Sequence, residues 1–220
     1  MTNMERRCSL SERRPLAVRD GLLSRLARAE WPFAPLLDLL DLPASADVLD
    51  VGAGDGRWLR ALRAKGHSGR RQGLDPSPGS LEILTGAAHA LPFAEETFDV
   101  VTLVRVLGHL PDAGAALAEV RRVVRPGGWV VLAAHGGEHL RATRQILGHL
   151  PDGPGLEAAL REALTQAGWV ARRLDARLPV TLTAADAEVL VRVTGRQDDV
   201  RQGAFPVRDI LHLAVYVARR

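Results

Sequence analysis

Cysteine, lysine, tyrosine and aromatic side chains in general are scarce in this 220-residue chain, and each scarcity excludes something. Cys8 is the only cysteine, so no internal disulfide and no cysteine-built zinc site can form. Aromatics make up 4% of the residues, too few for the stacked platforms that hold single-stranded nucleic acid. No apolar run approaches the roughly 20 residues that span a bilayer. The N-terminal stretch MTNMERRCSLSERRP carries charges where a secretory leader would be apolar. A cytoplasmic protein without membrane insertion is expected. Lys65 is the only lysine, so the 29 Lys+Arg include 28 arginines, set against 26 Asp+Glu for a net charge of +3. The isoelectric point near 9.9 therefore reflects arginine in place of lysine, with few groups titrating at high pH, more than it points to a polyanionic partner.

What is present fits an ordinary globule. Hydrophobic residues are 46% and charged residues 25%, which excludes disorder and collagen-like repeats. A length of 220 suits one domain with modest insertions. Residues 1–46 read as a helical extension, with an amphipathic stretch at 22–29 and a short helical pattern at 35–40. Residues 47–220 read as the main domain. From Asp47, β-rich apolar runs at 48–51, 72–74, 100–104 and 129–133 alternate with helical patterns at 56–64, 80–84 and 113–124. That alternation predicts βαβ units and a parallel sheet. LGHLPD occurs at 107–112 and again at 147–152, which reads as the same Asp-capped helix followed by a strand, the second near 170–174. Ile210–Ala218 predicts a closing strand, antiparallel because no crossover helix is evident before it.

The strongest chemical signal is VLDVGAGDG at 48–56, a strand running into a glycine turn and then a helix. Glycines there let a ligand approach the backbone closely. A dinucleotide fingerprint needs its third glycine one residue later, where Arg57 stands. Asp50 and Asp55 also flank the turn, and carboxylates repel a pyrophosphate but favour a cation. Asp75 ends the next strand, where a carboxylate can accept hydrogen bonds from both ribose hydroxyls. A cationic headgroup on a nucleoside describes S-adenosylmethionine better than a nicotinamide dinucleotide.

With GLDPS at 73–77, ALPFAEETFDVVTLVRVLGHLPD at 90–112 and EVRRVVRPGGWVVLA at 119–133, the chain resembles the class I S-adenosylmethionine-dependent methyltransferases, type 11, a group that includes quinone-biosynthesis methyltransferases. The resemblance implies a Rossmann-like, doubly wound α/β fold with a mostly parallel seven-stranded sheet and one antiparallel strand. It places Asp50, Gly52, Ala53 and Gly54 along the methionine part of the cofactor, Asp75 at the ribose, and Pro76, Ala88 and His89 around the adenine. Family members usually carry an Asp where this chain has Ala87, which removes one hydrogen bond of about 0.5–1.5 kcal/mol.

Methyl transfer from a sulfonium is an in-line displacement that asks chiefly for alignment and exclusion of water. His109, following the fourth strand, is the candidate base; the alternative is a loop cap before Asp112. Arg105 at the same tip is a candidate for the cofactor carboxylate, for an anionic substrate, or for plain solvent. His135–His139 fits an H-x-x-E-H zinc pattern, but Gly136 and Gly137 disfavour the helix such a site needs, so no metal is expected. A small-molecule acceptor is expected, recognised by the N-terminal helices and by loops at 134–156 and 176–206. An RNA or protein methyltransferase using the basic stretch Arg57–Arg71, a dinucleotide oxidoreductase, and a non-catalytic protein that keeps the cofactor fold are the rivals. The missing Asp-Pro-Pro-Tyr motif after the fourth strand, and the terminal position of Cys8, disfavour nucleobase methylation.

Overall fold

A computed structural model describes residues 10–147, 155–193, 200 and 204–220. Helices α1 (Leu10–Ala27) and α2 (Phe33–Leu39) precede β1 (Val48–Val51), α3 (Arg57–Ala64), β2 (Arg71–Asp75), β3 (Ile83–Thr85) and β4 (Phe98–Val104). A 3-10 turn, Leu107–His109, leads to α4 (Ala113–Val123) and β5 (Val124–His135), then α5 (Arg141–Leu147), α6 (Gly155–Gln166), β6 (Ala171–Leu182), α7 (Ala184–Arg192) and β7 (Val207–Arg219). The sheet order is β3-β2-β1-β4-β5-β7-β6. β1 to β5 pair in parallel, and β7 runs antiparallel to both its neighbours. This is the parallel sheet with an antiparallel closing strand that the patterns predict, and the doubly wound, seven-stranded form that the resemblance implies.

Burial on both faces explains the continuous apolar strands. Val48, Val100, Val131 and Val215 face one core with α1, α2, α3 and α7. Leu49, Val101, Val130 and Ala214 face the other with α4 and α6. Asp112 caps α4, its carboxylate accepting from the Ala115 N–H at 2.8 Å; the second LGHLPD copy, 147–152, lies outside the described residues except for Leu147, which ends α5.

Three local expectations are overturned. Residues 80–84 are not helical: Ile83 begins β3, pairing with Gly73 of β2. Gly73 has room for no side chain of its own, since a Cβ there would lie 2.5 Å from the Ile83 Cδ1. The segments at 134–156 and 176–206 are not simply loops, because they hold α5, α7 and much of β6. The sixth strand runs far past 174, because β7 offers it a twelve-residue antiparallel partner from Ala171 to Leu182.

Candidate active site

The C-terminal ends of β1, β2 and β4 converge on the glycine turn. Gly52, Gly54 and Gly56 all adopt left-handed backbone, with φ of 77°, 58° and 80°. Gly52 is the most constrained: its N–H donates to the Leu74 carbonyl at 2.7 Å, and any Cβ would strike the Val106 side chain just past β4. Gly54 has open space where a Cβ would stand, while its N–H and carbonyl are held by Asp75 and the Gly79 N–H, each at 2.9 Å. Ala53 is buried and its N–H also donates to Leu74.

Two acids stand at this turn in different settings. Asp75, 8% exposed at the tip of β2, accepts from the Gly54 N–H at 2.9 Å through one oxygen and from the Ser77 N–H at 2.9 Å through the other. Each carboxylate oxygen carries two lone pairs, so a carboxylate can accept several hydrogen bonds at once. Asp50 lies deeper, accepting from the Thr102 hydroxyl at 2.8 Å. Burial pushes its carboxyl up to about 7; the Thr102 hydrogen bond opposes the rise and the charge of Asp75 adds to it. Pro76 is exposed beside Asp75, and Ala88 and exposed His89 lie within a hairpin closed by the Ala87–Ala90 bridge. That hairpin is tied to β2 by the Gly86 N–H on the Asp75 carbonyl, 3.2 Å.

Arg105 directly follows β4 with a left-handed φ of 60°. Its guanidinium is turned to α1, where it donates to both Asp20 oxygens at 2.8 and 2.6 Å. Arg57, the first residue of α3, reaches the same carboxylate at 3.3 Å and also donates to the Trp31 carbonyl. His109 is exposed on the 3-10 turn, and only its backbone N–H, on the Val106 carbonyl, is drawn inward. Asp50, Gly52, Ala53, Gly54 and Asp75 are thus brought together at one edge. Pro76, Ala88 and His89 flank them, and Arg105 is joined to them through Val106.

The putting-together of His135 and His139 is not that of a metal pair. Their rings stack in parallel at 3.9 Å, with Trp31 against both. The His139 Nδ1 accepts from the His212 N–H, and Glu138 binds Arg177 at 2.6 Å. Among the described residues no three metal-capable side chains cluster. The basic stretch is also largely committed: Arg57, Arg60, Lys65 and Arg70 each pair with a carboxylate. Sequence reasoning missed Thr102 and Asp20. Thr102 was legible as the one hydroxyl in the buried run DVVTLV, whereas Asp20 in an arginine-dotted helix gave no signal.

A family model described as a methyltransferase domain matches residues 49–132. Demethylmenaquinone methyltransferase of Bacillus licheniformis is 39% identical over 109 residues, covering 43% of this chain and 47% of the relative. The protein of the same name from Lysinibacillus sphaericus is 33% identical over 141 residues, covering 58% and 60%. The chain spans about half the length of the curated relatives it matches. Among solved structures, an S-adenosylmethionine-dependent methyltransferase from Aquifex aeolicus superposes with a TM-score of 0.61 at 16% identity, covering 96% of this chain and all of that one. The [4+2]-cyclase SpnF superposes at 0.53 with 17% identity, covering 96% and 97%, so the fold by itself does not name a reaction. The family model lies over β1 to β5, where the glycine turn and Asp75 stand, and over that stretch the chain is similar to the class I S-adenosylmethionine-dependent methyltransferases of the type 11 group.

Proposed function

We propose that the chain transfers a methyl group from S-adenosylmethionine to a small molecule at the C-terminal edge of β1, β2 and β4. The observation that carries this reading is the pairing of the open Gly54 turn with the buried Asp75 carboxylate, held in place by two backbone N–H groups. Asp75 would accept the ribose hydroxyls. Gly52, Ala53 and Gly54 would lie along the methionine portion, with the Asp50 carboxyl beneath it, which burial pushes up to about 7 and a bound cation would favour in its ionised form. Pro76, Ala88 and His89 would border the adenine, where Ala87 offers only its backbone. When bound, the sulfonium supplies the electrophilic methyl. The chain's own task is to hold the acceptor in line and keep water out.

His109, beside the tip of β4, is the residue to take a proton from an acceptor that must lose one. The names of the curated relatives make a quinone-type ring the first acceptor to try. The reading as an RNA or protein methyltransferase loses most of its support, because the basic stretch is engaged by the chain's own carboxylates. Calorimetric titration tests the proposal: S-adenosylmethionine should bind and NAD should not. Asp75→Ala should weaken binding by about 10- to 100-fold, on the scale of hydrogen bonds to a charged acceptor. An Asp75→Ala affinity equal to that of the wild type would remove the ribose assignment.

A further inference from the structure

Positive charge stands close to the glycine turn, where a cation is to bind. Arg57 follows Gly56 directly. Arg105 adjoins Val106, whose side chain fills the space a Cβ on Gly52 would need. Two arginines carried on backbone that adjoins the turn would oppose a sulfonium there if their charge were unmatched. Both are met by a carboxylate delivered from outside the sheet, Asp20 of α1, and Arg57 is also met by the exposed Glu30 at 3.5 Å. Asp20 is 2% exposed, is bonded through both oxygens to Arg105, and is approached by Arg57 at 3.3 Å and Arg19 at 3.8 Å.

We propose that Asp20 is a specificity-determining residue of the site: by masking Arg105 and Arg57 from α1, it lets the strand tips accept a sulfonium cation. This inference rests on S-adenosylmethionine being the ligand. The Asp20 carboxyl is built to stay ionised: burial alone would raise it, but Arg105, Arg19 and Arg57 outweigh burial and hold it below the usual carboxylate range. The charge on Asp20 is therefore present whenever the site is in use.

S-adenosylmethionine and the thioether S-adenosylhomocysteine differ by the methyl group and its positive charge, so the ratio of their affinities reads the field at the sulfur. Calorimetric titration of Asp20→Asn with both ligands should lower the affinity for S-adenosylmethionine by about fivefold relative to the thioether, while Asp20→Glu keeps the wild-type ratio. Arg105→Gln should shift the ratio the other way, toward the sulfonium, and gives the answer even if Asp20→Asn does not fold. A residue that merely docks α1 would change both affinities by the same factor in both variants, and that result overturns the inference alone. A wild-type chain that binds neither ligand overturns the methyl-transfer reading, and the inference with it.

Discussion

On the β3-β2-β1-β4 side of the sheet the strands are three to seven residues long, and they end in loops whose backbone N–H groups point at carboxylates. On the β5-β7-β6 side they run twelve or thirteen residues, and their side chains close into an ion network. There His212 binds Asp175 at 2.7 Å, Arg173 joins Asp175 and Glu157 at 2.8 and 2.9 Å, and the Tyr216 hydroxyl donates to Glu157 at 2.9 Å. Short strands with left-handed glycines hold a carboxylate at the strand tips and leave the space beside the turn without side chains, which is what a ligand needs. Long antiparallel pairing consumes the backbone and leaves side chains to satisfy one another, which is what a scaffold needs.

Matched glycine substitutions should separate the two halves most sharply. Gly52→Ala sets a Cβ against Val106 at a left-handed position, and should lower S-adenosylmethionine affinity by at least about tenfold. Gly136→Ala sets one against the His212 ring and should lower stability by about 1–3 kcal/mol, as overpacking does, while the folded fraction binds as before. Thermal melts paired with titrations of each variant check this. Equal loss of binding in both would mean that the halves are not separable.

A smaller contrast lies in the pH dependence, where one carboxylate from each half acts in the opposite direction. Asp50 ionises near its ordinary value of 3.8 when unfolded and at about 7 when folded, so the folded chain holds the extra proton between those values. Its contribution to stability is full below 3.8 and declines as pH rises to about 7, by no more than ~4 kcal/mol. Asp175 is the reverse. Burial would raise its carboxyl, but hydrogen bonds from His212 and Arg173 hold it below 3.8, so its contribution is present above that value and is lost as pH falls through the folded one. Denaturant titrations from pH 3 to 8 should show Asp50→Asn flattening the neutral limb and Asp175→Asn flattening only the acidic one.

The smallest expected effect is on the basic stretch. Lys65 and Asp38 meet at 3.4 Å with both side chains well exposed, so Lys65→Gln should change stability by less than about 1 kcal/mol. It should leave cofactor affinity untouched, and a several-fold loss would show that the stretch takes part in binding after all.

Much of the β3-β2-β1-β4 half was legible because its constraints are local. A glycine at φ 77° must be written as glycine, a strand buried on both faces must be written as an apolar run, and Asp75 must sit where its strand ends. The far half was less legible because its determinants are pairings between distant residues: the length of β6 follows from its register with β7. In the near half the same holds for Ile83, a strand residue through its pairing with Gly73 of β2. The same limit applied to Arg105, whose position at the tip of β4 was readable but whose partner on α1, 85 residues away, was not.

By itself the sequence determined the alternating α/β order, the glycine turn with its flanking acids, and the antiparallel last strand, since each depends on spacing along the chain. Only the tertiary structure decided that His135 and His139 stack rather than converge, that the basic stretch is met by the chain's own carboxylates, and that Asp20 covers the arginines at the strand tips. Charge and ring contacts of this kind fall off within a few ångströms, so they exist only once folding has brought separate segments together.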